Sequence, residues 1–435
     1  MKKNLFFLVI LLAIAACTPK HRFKIFIDKE IPDQYIVFMK ESFEEPVIKH
    51  RVNNPNRNTQ KENNKPERDR KERKLVDFLR EKGISIRNIH KKFVDVKVGA
   101  VVKITAAKAA EIRTDSRVED VVQDIVIQIN PIQQSDPAEA GDPNRQWRSD
   151  PVIDINPIQQ SDALQLRYDI NPTTHMTHAV STAGGSVPAA GKTTVLWFLD
   201  TGIDPTHPNL NVRRDWGASF VRGNTNPDDD NGHGTFCAGV AAGRPVGITP
   251  QIHIGISEDA MVVPVKVLDE RGTGSWGWVI AGLNHVAQLS QPGDVVNLSL
   301  GSYDGANTTC YFPAMKNALE RITTNGVFVT LSAGNDAGNA SCNRPGCIDA
   351  TNVFTASSIN SDSTCAVYAN FGTPVDFVTV GTRVFSTWYD HRYRMASGTS
   401  VSSALLAGII HARGSMPAGE FSVTCAERPY KIAHQ

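Results

Sequence analysis

The chain has 435 residues, 41% of them hydrophobic and 21% charged, with a formal net charge of +1. That length accommodates two or three domains and a large buried core. The near-neutral balance leaves no electrostatic footprint for nucleic acid, which is excluded as an expected partner.

At the N-terminus, Lys2 and Lys3 precede an apolar run from Leu5 to Ala16 that meets Cys17. A positive start, a short apolar stretch and small residues at its end mark an export signal. The run falls short of the roughly 20 apolar residues a membrane span needs. Ile14-Ala15-Ala16-Cys17 resembles the lipobox of bacterial lipoproteins. That resemblance implies a signal over 1–17, acylation of Cys17, and a membrane-anchored chain. Thr18 after the cysteine implies the outer membrane, facing the periplasm or the surface. An ordinary cleaved signal, and a secreted protein, is the alternative. Six further cysteines (Cys237, Cys310, Cys342, Cys347, Cys365 and Cys425) suggest disulfides in an exported chain, with 15 full pairings open. Cys342 and Cys347 flank a turn-rich loop, which does not by itself make them partners.

Residues 31–129 read as a small α+β unit. Gln34–Met39 has the pattern of a strand and Leu75–Lys82 that of an amphipathic helix. Between them, Lys49–Lys74 is almost devoid of apolar residues and is expected to be a solvated loop. Its cations are interleaved with Glu62, Glu67, Asp69 and Glu72, which argues against a nucleic-acid tail. Phe93–Val98 and Val101–Ile104 read as strands divided by Gly99, followed by a helix near Ala106–Thr114 and a strand at Val118–Asp124. The order strand–helix–strand–strand–helix–strand predicts a ferredoxin-like domain.

Residues 130–190 read as a linker and processing region, in which Ile129–Asp136 recurs as Ile155–Asp162 (INPIQQSD). Two copies are too few for a solenoid. From 191 to 435 apolar strands alternate with helices. Thr194–Leu199, Met261–Leu268, Asp294–Leu300, Val327–Leu331 and Val353–Ala356 alternate with Trp276–Leu289, Pro313–Thr324 and Thr399–Ala412. The pattern predicts an α/β fold with a doubly wound, mostly parallel sheet covered on both faces. Functional groups in such sheets gather at the carboxyl ends of the strands.

Three segments stand out there. Asp200-Thr201-Gly202 ends an apolar strand, Asn231-Gly232-His233-Gly234 flanks a histidine with glycines, and Ser397-Gly398-Thr399-Ser400 opens a helix. Each alone has an ordinary structural reading, as a turn residue, a turn histidine and an N-cap. Together they occur in the order Asp–His–Ser. Val195–Leu210 (with DTGIDPTHPNL), Asp230–Gly239 (DNGHGTFCAG) and Ser397–Gly408 (SGTSVSSALLAG) resemble the subtilisin family of serine proteases. Ser332–Asn335 (SAGN) is similar to the family's oxyanion segment. The resemblance implies a serine endopeptidase with Asp200, His233 and Ser400 as triad and Asn335 as oxyanion donor. It also implies that Ser299-Leu300-Gly301 and Ala333-Gly334 form the walls of the specificity pocket. Gly274 would lie on the edge that pairs with extended peptide, and Trp276 at its rim or in the core. Polypeptides are the implied substrates and a monomer the implied state. The unit at 31–129, with its Tyr35-Ile36-Val37 strand and its Asp115–Val121 run, resembles the family's inhibitory prodomain. By that likeness the chain processes itself and is inhibited by its own N-terminal domain. The other reading is a catalytically silent, peptide-binding surface lipoprotein.

Some family features are altered. Phe236 stands where a second histidine is common, and Cys237 resembles the free thiol of the proteinase K branch. Ala404 stands where proline is usual, so Ser400 is expected to be slightly displaced. No cofactor is implied for catalysis. Structural calcium is implied weakly, since Asn209 replaces an aspartate ligand and Asp228-Asp229-Asp230 suits a solvated turn as well as a site. His207 is read as a packing residue.

Overall fold

A computed structural model describes residues 29–43, 57–129, 170–171, 173–247, 250–303, 310 and 312–435. Cys17 and both INPIQQSD copies after Ile129 lie outside the described residues. The N-terminal unit runs β1 (Lys29–Met39), α1 (Arg57–Asn63), α2 (Lys65–Glu81), β2 (Ile89–Phe93), β3 (Gly99–Lys103), α3 (Ala106–Arg113) and β4 (Val118–Gln128). Its strands lie in the order β4-β1-β3-β2, all antiparallel, which is the ferredoxin-like arrangement.

Two expectations fail in this unit. From Arg57 onward, the segment read as a solvated loop is helical, because its long cationic side chains bury their stems and pair their heads. Arg57, Arg68 and Lys71 are buried. Arg57 forks onto Asp294, Arg68 lies 3.7 Å from Asp95, and Lys71 lies 3.2 Å from Glu67. The stretch Val94–Val98 is not a strand. The Asn284 side-chain oxygen accepts from the amides of Val94 (3.0 Å), Asp95 (2.6 Å) and Val96 (3.3 Å). Those amides therefore make no ladder; the strand is β2, just before them.

In the larger unit the elements are α4 (His178–Thr182), β5 (Leu196–Asp200), α5 (His233–Ala242), β6 (Met261–Lys266), β7 (Thr273–Ser275), α6 (Trp276–Leu289), β8 (Val295–Leu298), α7 (Pro313–Thr323), β9 (Phe328–Ser332), β10 (Val353–Ile359), β11 (Val375–Val380), α8 (Thr399–Arg413), β12 (Ala418–Cys425) and β13 (Arg428–His434). The sheet runs β6-β5-β8-β9-β10-β11-β13-β12. It is parallel throughout except for the final hairpin β12–β13. The mixed α/β fold and its mostly parallel sheet are as expected. One face packs on α5 and α8, the other on α6 and α7, so the strands are apolar on both sides. Within the region read as linker, residues 173–190 are described, and Ala179, Val180 and Ala183 bury themselves in the core beneath α5 and α8. Cys310–Cys347 and Cys365–Cys425 are disulfides and Cys237 is a buried free thiol. Cys347 is therefore not bonded to Cys342.

The two units share one core. Ile36, Phe38, Phe93, Val101 and Ile127 from the N-terminal sheet join Trp276, Ile280 and Leu283 of α6. The opposite face of that sheet is covered by Leu75, Phe78 and Leu79 of α2 and Ala109 and Ile112 of α3.

Candidate active site

β5 delivers Asp200 to the carboxyl edge of the sheet, and α5 begins at His233 itself. Gly232, the residue before α5, has φ +112°, and a Cβ there would lie 2.1 Å from the Trp388 ring. A Cβ on Gly234 would meet the Gly202 carbonyl at 2.0 Å. Glycine at both positions lets the helix start hard against its neighbours, which carries the imidazole up to the carboxylate. The His233 Nδ1–H donates to Asp200 Oδ1 over 2.7 Å, with both side chains buried. Burial acts against the charged ring, but the Asp200 carboxylate outweighs it. The His233 pKa is raised well above its ordinary value. On its other side, His233 Nε2 is buried and unpartnered.

Ser400 occupies the second position of α8, where the backbone N–H has no acceptor within its own helix. Its Oγ donates to the Ser299 carbonyl over 3.2 Å. Asn335 Oδ1 accepts from Thr399 N and Thr399 Oγ1, both at 2.9 Å, which fixes the amide plane. Its nitrogen is left toward a small pocket lined by His233, Asn335, Ser397, Gly398 and Ser400. The structure thus brings Asp200, His233, Asn335 and Ser400 together from four elements and their adjoining loops. Ser400 and His233 face the same pocket without a hydrogen bond between them.

Cys237 lies 4.0 Å from His233 Nδ1, on the Asp200 side of the ring. Burial pushes its thiol pKa up, so it is held as a neutral thiol. Asp200, His233 and Cys237 lie close enough to suggest a metal site. One edge of that cluster is already the 2.7 Å Asp200–His233 bond, and a neutral thiol is a poor ligand.

Two supporting residues escape motif reading. Asp229 accepts from Asn231 N, Gly232 N, Thr235 N and the Thr235 hydroxyl at 2.6–3.0 Å, capping α5 and holding His233 in place. Lys266, fully buried at the end of β6, donates to the Thr201 and Leu268 carbonyls and to Asp230. An aspartate four residues ahead of the glycine-flanked histidine was the available signal for the first. The second had none.

The acidic run expected as a turn or cation site has protein partners at each position: Asp228 with Arg214, Asp229 with α5, Asp230 with Lys266. Asn209 donates to the Pro245 carbonyl (2.7 Å) and accepts from the Tyr393 hydroxyl. His207 packs edge-on against Tyr393, and burial lowers its pKa.

Of the residues assigned to substrate contact, Gly274 lies in β7, antiparallel to the end of β4. Thr273 faces Gln128, Gly274 faces Ile127 and Ser275 faces Val126. Beyond them the Ile129 amide donates to the Gly272 carbonyl over 2.9 Å. On its far side Gln128 bridges antiparallel to Gly301. The end of the N-terminal domain is therefore a middle strand between two segments of the larger unit. Trp276 is 2% exposed beneath this domain, against Phe312. Ser299 turns inward, donating to the Ser400 carbonyl and meeting the Ser403 hydroxyl at 2.9 Å each. Leu300 and Ala333 are buried. The Gly334 amide donates to Thr399 Oγ1 over 3.0 Å.

The subtilase family profile (peptidase S8) matches residues 191–412, a little over half of the chain. The chain is 36% identical over 225 residues to a subtilisin-like protease 2 from Pseudogymnoascus destructans, covering 51% of this chain and 52% of that protein. It is 34% identical over 226 residues to proteinase T from Parengyodontium album, covering 51% and 71%. The alkaline serine protease ver112 from Corniculantispora psalliotae is 27% identical over 347 residues, covering 78% of each chain. The chain thus spans about half the length of the Pseudogymnoascus relative.

Proposed function

The chain belongs to the subtilase family, and from that premise we propose that it is a serine endopeptidase made as a self-processing precursor. The observation that carries this reading is the buried 2.7 Å Asp200–His233 bond, with an unpartnered Nε2 facing the pocket that also holds Ser400 and Asn335.

In this reading, Ser400 rotates from the Ser299 carbonyl to His233 Nε2 once a substrate carbonyl enters. The hydroxyl proton passes to Nε2 as the Oγ–C bond forms. Asp200 keeps Nδ1 as the protonated nitrogen and stabilises the imidazolium. The oxyanion takes hydrogen bonds from the Asn335 amide and the Ser400 backbone N–H, both fixed beforehand. His233 then gives its proton to the leaving amine as the C–N bond breaks. A water molecule, deprotonated by the same ring, releases the acyl group and regenerates Ser400. No cofactor enters these steps.

Substrate backbone adds as a strand between β7 and Gly301, with Ser299–Gly301 and Ala333-Gly334 shaping the pocket beyond. The end of β4 occupies that place in the precursor, which supports residues 31–129 as an intramolecular inhibitor. The Cys310–Cys347 and Cys365–Cys425 disulfides suit an exported protein in an oxidising compartment. The lipobox supports attachment to the bacterial outer membrane through Cys17.

The wild-type chain and Ser400→Ala separate this reading from a silent peptide-binding lipoprotein. Self-cleavage and casein hydrolysis are expected in the first, with a loss on the order of 10⁶ in the second, a size carried over from subtilisin itself. Equal behaviour of the two would defeat it. Intact masses from the same samples read acylation at Cys17.

A further inference from the structure

The strand that fills the cleft is itself part of the internal repeat. Aligned from Asp124, residues 124–136 (DIVIQINPIQQSD) return as 150–162 (DPVIDINPIQQSD), identical at eleven of thirteen positions. The first copy contributes Val126, Ile127, Gln128 and Ile129 to the edge formed by residues 272–275 and Gly301. Val152, Ile153, Asp154 and Ile155 are their counterparts.

We propose that Val152–Ile155 is a second strand for the same edge. Cleavage between the two copies then leaves an enzyme whose cleft is still filled by its own N-terminal extension, and full activity needs a second cut. This rests on the proposed reading of that edge as the place where substrate adds.

Both differences between the copies are compatible with docking. Strand addition is held by main-chain hydrogen bonds, with side chains placed alternately. The apolar residue that is fully buried among Leu268, Trp276 and Leu300 is Ile127, and its counterpart Ile153 is unchanged. Gln128 donates from Nε2 to Thr273 Oγ1 over 2.9 Å. Asp154 in its place would accept from that same hydroxyl. Pro151 replaces Ile125, whose amide donates to the Asp124 side chain rather than to β7, so no bond to the edge is lost.

Reach and concentration also favour it. Fourteen residues separate Ile155 from Ile170, the next described position. That tether spans about 50 Å when extended, comparable to the diameter of a unit this size, about 45 Å. A strand tethered this way competes at an effective concentration in the millimolar range, without new contacts.

The test uses the full chain. In a Ser400→Ala background, hydrogen exchange at Gly274, the residue paired with Ile127, is measured after Ile127→Asp, which evicts the first strand. Protection is expected to persist and then to fall about tenfold when Ile153→Asp is added. An edge already open in the Ile127→Asp chain would overturn the proposal. In the active chain, wild type is expected to show two successive cuts with casein hydrolysis following the second, and Ile153→Asp to bring activity forward to the first. Activity rising with the first cut in both would overturn it. A wild type that never hydrolyses casein would break the protease reading alone, since the exchange result needs no catalysis.

Discussion

Among the described residues, two buried serines lie near a buried histidine, and the tighter pair is outside the proposed catalytic site. Ser257 Oγ–H donates to His411 Nδ1 over 2.7 Å, while His411 Nε2–H donates to the Thr194 carbonyl over 3.1 Å. Both nitrogens are satisfied, no carboxylate touches the ring, and burial lowers its pKa to about 4. His233 is the reverse case: a carboxylate stands behind it, its pKa is raised, and the nitrogen facing the pocket is vacant. Hydroxyl-to-imidazole contact is thus a poor guide to catalysis. What sits behind the ring, and what is left open in front, decides whether histidine is a base or a brace.

That contrast can be broken at its strongest point first. Asp200→Asn should lower kcat by about 10⁴, the size seen when the equivalent carboxylate of subtilisin is removed, with KM little changed. Steady-state kinetics on a short peptide would check it, and a loss under tenfold would make the two pairs equivalent.

The pH profile sharpens the comparison. A base works only when neutral, so a raised His233 pKa means activity falls as pH drops through a value above the ordinary 6.5. The acid limb of kcat/KM is expected on the alkaline side of 6.5. A limb below 6 would show that the Asp200 carboxylate does not dominate the ring.

The smallest effect on rate belongs to the other pair. Ser257→Ala should leave kcat/KM within about twofold, yet cost roughly 1–3 kcal/mol of stability by orphaning His411 Nδ1. Urea unfolding against peptide hydrolysis separates the two outcomes, and a large loss of rate at full stability would reverse the assignment.

Much of the candidate site was legible because its residues sit at the ends of strongly patterned elements. Leu196–Leu199 is uniformly apolar and delivers Asp200; Trp276–Leu289 and the start of α8 were read at their observed limits. What failed to show was anything whose logic lies across the chain. α5 is buried on every side and rich in glycine and alanine, so it has no amphipathic period, and its histidine reads as a turn. α1 and α2 look like solvated chain because the partner of Arg57 is over 200 residues away. Val94–Val98 alternates like a strand, but its amides are claimed by Asn284, which nothing local announces.

The Arg57–Asp294 fork also bears on the release of the N-terminal domain that the proposed self-processing requires. Asp294 accepts from Val195 N, Gln291 N and the Trp197 indole at 2.9–3.0 Å, all within the larger unit. A buried carboxylate stripped of its only counterion is ordinarily costly. Here the socket stays furnished with three dipoles after the plug is drawn, while the guanidinium regains water. In the proposed self-processing, the joint parts with its polar groups satisfied on the side that stays.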